Sequence, residues 1–350
     1  MKKMLTKVDT QKALNTRAGR GIFYFLLFTC SILFVFSCGD SLQKTPGPDT
    51  AFVASLKDQA VNIVQQGLAD HDPSIRVTAI EVVAVTRQVK LMPKVQQLLK
   101  DNFVPVRFAA SLAVGDTKYH PAQNLVEQLL GDRNENVRIA AAYAITRLGS
   151  QQGFNILRTA TASTDHQVRA NAVLLLGKTG NKQALELLYW ALEDKDSDYG
   201  TRLQAAEAIA KLGDERIYRK LWAILISAYA DDRVMGARAM GALGTEQAKN
   251  ALITMLDDDW LEVRLTAAAQ LGTLGYKDGE PEVLDVFNKN LTNDLDKKDD
   301  IERVNVLTAM AIGRIGSTQL TRFLPRLLQN ESKFVRLAAA RAVLLCLIKK

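Results

Sequence analysis

The segment Asp132–Gly149, DRNENVRIAAAYAITRLG, decides the fold of this chain. A Val-Arg pair, Val137 and Arg138, stands at its centre, with a polar residue six places before the arginine and alanines three, four and six places after it. The template recurs, and its arginine position holds in order Arg76, Arg107, Arg138, Arg169, Arg202, Arg233, Arg264, Asn305 and Arg336. Successive steps are 31, 31, 31, 33, 31, 31, 41 and 31 residues. Such a period indicates stacked supersecondary repeats, numbered here 1 to 9.

Three columns of this alignment predict how each repeat folds. Small residues stand three places after the arginine: Ala79, Ala110, Ala141, Ala172, Ala205, Gly236, Ala267, Thr308 and Ala339. Apolar residues stand seven places after it: Val83, Val114, Ile145, Leu176, Ile209, Met240, Leu271, Ile312 and Val343. Six repeats place a glycine eleven places after it, where a left-handed residue ends a helix: Gly149, Gly180, Gly213, Gly244, Gly275 and Gly316. The columns predict that each repeat is a helix A, a polar turn and a helix B.

These motifs resemble the HEAT repeat family, in particular the short bacterial HEAT-like repeats first named after phycobilisome lyases. The matching features are the turn aspartate, the Val-Arg pair, the alanines and the Leu-Gly ending, and they cover residues 52–350. The resemblance implies a right-handed, all-α solenoid of about nine antiparallel helix pairs over residues 51–350, with helix B on the inner surface. At about 9 Å per stacked helix it would be roughly 70–80 Å long.

The resemblance also implies a structural ladder in which turn aspartates bond to helix B arginines along the stack. A carboxylate next to a guanidinium at every step would satisfy partly buried charges. The residues that would form it are Asp70, Arg76, Asp101, Arg107, Asp132, Arg138, Arg169, Asp196, Arg202, Arg233, Asp258, Arg264 and Arg336. The ladder should weaken at Asn305, beside the ten extra residues of repeat 8.

The first 50 residues read as an export and anchoring segment. Six basic residues precede the apolar run Gly21–Phe36, and Ser37 and Cys38 follow it. This order is typical of a secretory signal, and the ending resembles a lipoprotein lipobox, so residues 1–37 are predicted to be a signal peptide, with lipidation at Cys38. The alternative is an uncleaved anchor helix, although 16 apolar residues are short for a span. Residues 38–50, with Pro46 and Pro48, would form a flexible tether.

Charge and cysteine content exclude two classes of protein. The whole chain has 45 basic and 38 acidic residues, but removal of the leader would leave a net charge of about +2. A nucleic-acid-binding surface therefore loses its main support. Of three cysteines only Cys346 would stay unmodified, so no disulfide framework is expected.

The inner surface is the candidate binding site. The positions one and five places after the arginine point away from the core columns, and many of them are apolar. The sequence predicts a partner-binding groove lined by Val77, Phe108, Leu112, Ile139, Tyr143, Leu174, Leu203, Val234, Leu265, Val306, Met310 and Leu337. Exposed apolar area of this extent marks interaction sites. The alternative is that neighbouring B helices pack against one another and cover these side chains.

No catalytic or metal site is predicted. Deoxyhypusine hydroxylase, a HEAT-like di-iron enzyme, uses His-Glu pairs, whereas the histidines here precede Asp72, Pro121 and Gln167. Asp194, Asp196 and Asp198 suggest a calcium loop, but an EF-hand needs glycine and glutamate where Tyr199 and Ala205 stand. We expect a helix-capping turn there, and no cofactor.

The resulting hypothesis is a non-catalytic scaffold or adaptor that binds a partner protein or peptide on the concave face. It would be lipid-anchored on the periplasmic side of a bacterial envelope, with Gly39 after Cys38 favouring the outer membrane. The first alternative is a lyase-like or other accessory protein acting on a cofactor-bearing protein. The second is end-to-end assembly through the apolar last helix, which contains Leu344 and Leu345.

Overall fold

The computed structural model describes residues 50–348, which lie within one compact unit, Pro48–Lys350. The predicted signal peptide, the lipidation site at Cys38 and the tether before residue 50 lie outside the described residues. Within residues 50–348 all regular secondary structure is helical.

Each repeat is a pair of antiparallel helices, as predicted. The A helices are α1 (Thr50–Leu68), α3 (Met92–Leu98), α5 (Gln123–Leu129), α7 (Gln151–Ala160), α9 (Leu185–Glu193), α11 (Tyr218–Leu225), α13 (Glu246–Thr254), α15 (Glu280–Asn288) and the divided pair α17 (Thr318–Thr321) and α18 (Leu324–Leu328). The B helices are α2 (Pro73–Val85), α4 (Val104–Thr117), α6 (Glu135–Arg147), α8 (His166–Thr179), α10 (Tyr199–Lys211), α12 (Ala230–Leu243), α14 (Leu261–Thr273), α16 (Lys298–Ile315) and α19 (Lys333–Ile348). Short 3-10 turns join several of them, including Val89–Leu91 and Leu291–Asp294.

The columns behave as the sequence predicts. Every residue three or seven places after the arginine position is buried, from Ala79 and Val83 in repeat 1 to Ala339 and Val343 in repeat 9. All six predicted glycine stops have positive φ, for example +80° at Gly180. Arg87 and Lys118 occupy the same column in repeats 1 and 2 and adopt φ values of 50° and 51°. The register of the repeat therefore imposes the left-handed stop even where a side chain opposes it.

Helix packing shows which side of the stack is concave. Each B helix packs on the next, from α2 on α4 to α16 on α19, whereas consecutive A helices hardly touch one another. The B helices therefore lie on the inside of a strong curve, and the A helices lie outside. This arrangement confirms the all-α solenoid and the inner position of helix B.

The curve closes on itself. The last helix, α19, packs against both α1 and α2, and α18 also reaches α1. The Leu337 side chain lies against Gly67, and the Lys333 ammonium donates to Asp70 Oδ2 at 2.7 Å. The nine repeats thus form a closed ring, and the expectation of an open rod 70–80 Å long is wrong. The surface that covers the apolar last helix, including buried Leu344, is the first repeat of the same chain.

Candidate functional site

The predicted ladder is present in three places. Arg107 Nε and Nη2 donate to the two carboxylate oxygens of Asp132 at 2.9 and 3.0 Å, and its Nη1 donates to the carbonyls of Asp101 and Asn102. The same pair of hydrogen bonds from one guanidinium to one carboxylate, which we call a fork, joins Arg76 to Asp101 and Arg233 to Asp258. Each arginine therefore ties its own turn to the next turn of the ring.

The pKa values of Asp132 and Asp258 are lowered, which indicates that these contacts stabilise the ionised carboxylates. Burial by itself would raise the pKa of Asp132, but hydrogen bonds from Arg107 and from the Asn134 backbone outweigh it, and the pKa lies below its usual value. Asp258 behaves likewise with Arg233 and the Trp260 backbone N–H. These carboxylates are thus held ionised by their structural partners, which is a stabilising role.

Elsewhere the predicted ladder is interrupted. Asp196 does not offer its carboxylate: its carbonyl accepts from Arg169 Nη1, while the carboxylate nearest to Arg169 is that of Asp194, at 3.9 Å. That part of the prediction is wrong, because the turn of repeat 5 is two residues longer. Arg264 turns to Glu282 at 2.9 Å rather than to the turn of repeat 8.

Three further ladder arginines bond mainly to backbone. Arg138 and Arg336 donate to carbonyls of their own turns, at Asp132 and Asn330 respectively. Arg202 donates to the carbonyl of Asp194 at 3.0 Å. The following turns offer Ser163 and Ser227 instead of aspartate to Arg138 and Arg202, so neither arginine has a carboxylate partner in the next turn; Arg138 lies 3.7 Å from Glu135 of its own helix instead. All of these arginines act as structural anchors of their turns.

The predicted apolar groove is largely covered. Four of its twelve residues are only 0–2% exposed: Ile139, Tyr143, Leu265 and Leu337. Including these four in an open groove was wrong, because the strong curvature presses neighbouring B helices together. The other eight are half-buried: Val77, Phe108, Leu112, Leu174, Leu203, Val234, Val306 and Met310. The inner wall is therefore mainly a packing surface.

The sequence analysis missed a column of charges on the same face. It lies nine places after the arginine position, and includes Asp116, Arg147, Lys178, Lys211 and Arg314. The signal was available, since positions one, five and nine follow one another along a helix face at intervals of four. Basic residues there also lie near the C-terminal ends of B helices, where they complement the helix dipole.

One part of this column joins three repeats. The Tyr143 hydroxyl and Lys178 Nζ both donate to the carboxylate of Asp116, and Lys178 lies 5.3 Å from the centre of the Tyr143 ring. Burial, followed by the charge of Asp116, raises the pKa of Tyr143. The phenol is therefore a neutral hydrogen-bond donor, and the network links repeats 2, 3 and 4.

The space inside the ring is narrow. Desolvation by the surrounding protein atoms raises the pKa of Glu81, and the charges of Arg341, Lys178 and Arg238 act in the opposite direction. These three cations belong to repeats 9, 4 and 6, and only repeat 9 is adjacent to repeat 1 around the ring. Glu81 is exposed to solvent, yet it faces charges across the ring. This combination is expected at the wall of a small, water-filled central space.

A group of exposed large apolar side chains lies on the turns of repeats 5 to 7 instead. Tyr229 and Trp260 occupy equivalent positions, four places before the arginine of repeats 6 and 7, and are 74% and 56% exposed. Tyr199 and Ile226 are also exposed and lie in the turns of repeats 5 and 6. We call these four residues the aromatic edge. Asp258, two residues before Trp260, binds Arg233, which holds the turns of repeats 6 and 7 side by side.

Repeat 2 provides a contrast. Phe103 stands at the position equivalent to Tyr229 and Trp260, but the Arg76 guanidinium lies over its ring at 5.5 Å. Tyr229 and Trp260 have no comparable ring contact within residues 50–348. Phe103 is itself 50% exposed, so the three residues differ in their ring contacts rather than in whether they are exposed.

The other candidate sites resolve into structural features. Asp198 Oδ1 accepts from the backbone N–H of Thr201 and caps α10, as expected for the aspartate-rich turn. His71, His120 and His166 are all exposed. Among residues 50–348, no three His, Cys, Asp or Glu side chains are grouped as a metal site, and no helix has the length and apolar character needed to cross a membrane.

Comparison with known families agrees with the repeat architecture. The HEAT repeat model matches residues 91–167 and 155–235, and the PBS lyase HEAT-like repeat model matches residues 232–258. No curated protein sequence matches the chain.

Similar solved structures include human deoxyhypusine hydroxylase in complex with glycerol, at 18% identity over 75% of this chain and 98% of that one, with a TM-score of 0.37. A complex of CpcE and CpcF of phycocyanin lyase from a Nostoc species shares 17% identity over 71% and 93%, with a TM-score of 0.39. A karyopherin bound to the extreme C-terminus of a protein phosphatase shares 14% identity over 85% and 38%, with a TM-score of 0.30. Similarity at this level does not transfer an activity or a ligand.

Proposed function

The chain carries HEAT repeats, and from the ring that they form we propose a non-catalytic scaffold, lipid-anchored in a bacterial envelope, that binds a partner protein through the aromatic edge. One observation carries the proposal: Tyr199, Ile226, Tyr229 and Trp260 are exposed on three consecutive turns. Tyrosine and tryptophan are enriched at the energetic centres of protein interfaces.

This proposal moves the binding surface from the inner wall to the turns. The inner wall is mostly covered by neighbouring helices, whereas the aromatic edge is open. Its backbone is well held, because Tyr229 N–H donates to Ser227 Oγ and Trp260 N–H donates to Asp258 Oδ1. A pre-organised surface loses less conformational entropy when it binds.

The start of helix α1 lies away from the aromatic edge. Helix α1 runs toward the turns and ends at Leu68, so its start at Thr50 lies at the opposite side of the ring. Nineteen helical residues separate the two sides by roughly 28 Å. A tether joined to Thr50 would therefore leave the aromatic edge accessible.

A site-specific crosslinking experiment tests partner binding. A photo-crosslinking amino acid is placed at Tyr229, and in a matched control at Phe103, in the full-length protein in its native cells. We expect one protein to be captured at Tyr229 and not at Phe103. The purified partner should then bind the wild type, and the double variant Tyr229→Ala, Trp260→Ala should bind at least tenfold more weakly. The same proteins captured at both positions, or unchanged affinity of the double variant, would reject the proposal.

The anchor has a separate test. Cells grown with an alkyne-tagged fatty acid should label the wild-type protein and not the Cys38→Ser variant, and the label should fractionate with membranes. Labelling that persists in Cys38→Ser would show that the anchor has been assigned to the wrong residue.

A further inference from the structure

The point where the ring closes contains a cavity of about 380 Å³. Its lining comes from α16, α19 and α2, which belong to repeats 8, 9 and 1. This cavity, which we call the seam cavity, exists only because the last repeat meets the first. Its volume lies within the range of small-ligand sites.

The lining changes in character along the helices. Asp299 and Glu302 lie in the first turns of α16, near the turns of the ring, together with Arg303, whose guanidinium pairs with Asp300 and Glu262. Val306, Met310 and Phe334 provide apolar walls. Arg341 and Glu81 lie further along their helices. Each stands five places after the arginine position of its repeat, whereas Glu302 stands three places before that position, so the difference is eight residues, or roughly 12 Å of helix. The cavity is therefore acidic at one end, apolar in the middle, and contains a guanidinium at the other end.

Arg341 is the unusual group in this lining. Its Nε is buried and has no hydrogen-bond partner within residues 50–348. Burial, followed by the positive charge of Arg314, lowers the pKa of Arg341 to about 10, and Arg238 adds to the effect. Burial and Arg238 also lower the pKa of Arg314. Arg341 therefore lies at the inner end of the cavity, where the positive charges of Arg314 and Arg238 also act on it.

The nearby Glu81 carboxylate does not neutralise the Arg341 guanidinium by direct contact. Among the described residues, no ion pair within 4 Å joins Glu81 to Arg341, although both line the cavity. Glu81 also acts against Lys178 and Arg238. The unpartnered Nε of Arg341 leaves room for an anion at this end of the cavity. Arginine guanidinium groups bind planar carboxylates through two parallel hydrogen bonds.

We propose that the seam cavity binds the free C-terminal carboxylate of an extended peptide. The carboxylate would lie at Arg341, and the apolar last side chain would contact Val306, Met310 and Phe334. A basic residue near the peptide end would lie close to Asp299 and Glu302. A doubly charged phosphate fits less well, because Glu81 and the acidic end of the cavity repel it more strongly. This site is separate from the aromatic edge, and either can fail without the other.

Peptide binding to the full-length protein in detergent tests the site. The probe is a fluorescent pentapeptide, Gly-Lys-Gly-Ala-Leu, with a free C-terminus, and its control is the same peptide with an amidated C-terminus. A hydrogen-bonded charge is worth roughly tenfold or more in affinity, so we expect the free acid to bind at least tenfold tighter in fluorescence anisotropy. Arg341→Gln should remove this preference, and the outer-surface control Arg219→Gln should keep it.

A second variant predicts a change of opposite sign. Glu81→Gln removes the competing carboxylate, and should tighten binding of the free-acid peptide several-fold without affecting the amide. If Arg341→Gln loses its helical circular dichroism, Glu81→Gln alone decides the result. Equal binding of acid and amide, or unchanged affinity in Glu81→Gln, overturns the proposal. Competition by dodecanoate or inorganic phosphate at lower concentration than by the unlabelled peptide also overturns it, in favour of those ligand classes.

Discussion

The contact between repeats 2 and 3 and the contact between repeats 9 and 1 join equivalent helices in different ways. In the first, Arg107 forks onto Asp132 with both groups largely buried. In the second, Arg336 bonds only to carbonyls of its own turn, and the exposed Lys333 makes the single link to Asp70. The regular contact is thus held by a buried polar fork. The closing contact depends on apolar packing, chiefly of Leu337 near Gly67.

This difference shows where function is to be expected in a repeat protein. Where the fork is complete, as at Arg107 and Asp132, the nitrogens of the guanidinium and both carboxylate oxygens have partners. The closing contact departs from the pattern, and there Glu81 and Arg341 line a cavity without pairing directly. The aromatic edge is a second departure, because Tyr229 and Trp260 replace the polar capping residues found in other turns, such as Asn134 and Asp165.

The largest expected effect comes from charging the closing contact. Leu337→Asp places an unpaired carboxylate in a site that is 1% exposed, which costs about 3–5 kcal/mol. Because the other repeats need only their neighbours, the ring should open while most helicity is kept. Small-angle scattering should show a larger radius of gyration with little change in circular dichroism.

The matched variant is Leu265→Asp, at the equivalent position of repeat 7. It lies inside the stack, so we expect cooperative loss of helicity instead of simple opening. If both variants behave alike, the closing contact is no different from the others.

The next prediction compares the contact between Arg107 and Asp132 with the contact between Lys333 and Asp70. Arg107→Ala leaves Asp132 and two turn carbonyls without their donor, and should lower the free energy of unfolding by about 3 kcal/mol. Lys333→Ala removes an exposed pair and should cost less than about 1 kcal/mol. Urea unfolding monitored by circular dichroism measures both. A larger loss for Lys333→Ala would mean that the ring is closed mainly by charge.

Low pH should remove the stabilisation that the buried ion pair of Arg107 and Asp132 provides. The pKa of Asp132 is lower in the folded protein than in the unfolded chain, where it is about 3.9. The stabilisation is therefore present above pH 4 and is lost as the pH falls through the folded value. The stability gap between wild type and Arg107→Ala should narrow between pH 5 and pH 2. A gap that stays constant in this range would show that packing, and not the ion pair, is responsible.

The smallest effect concerns helix stops. Arg87 and Lys118 adopt left-handed φ values that the later repeats give to glycine. Arg87→Gly and Lys118→Gly should each stabilise the protein by roughly 0.5–1 kcal/mol, because glycine removes the steric cost. Gly180→Ala, in the same column, should destabilise it. Thermal unfolding measures these shifts, and stabilisation by Gly180→Ala would contradict this explanation.

Much of the local structure was predictable because each repeat is decided by neighbours in sequence. The small column at Ala141 and the apolar column at Ile145 must be buried for the helix to pack, and both are. The three complete forks were also predictable, since each needs only an arginine and an aspartate in adjacent turns. The Asp196 contact was not, because a two-residue difference in turn length redirects the carboxylate.

The aromatic edge was not predicted from the sequence, and the predicted groove was partly wrong, for different reasons. Tyr229 and Trp260 were visible in the alignment, but the fractions of their side chains that stay exposed, 74% and 56%, depend on how the neighbouring turns pack. The groove prediction failed at Tyr143 and Leu265 because it assumed gentle curvature.

By itself, the sequence determined that this protein consists of nine helix pairs, where their helices stop and which columns are buried, because those features depend on residues within one or two repeats. Only the tertiary structure decided that the ends meet. Closing nine repeats needs an average rotation of about 40° per repeat, and small angular differences at each contact add along the chain. Whether Leu337 reaches Gly67, and whether Arg341 and Glu81 come to line one cavity, depends on that accumulated rotation and is not encoded in any single repeat.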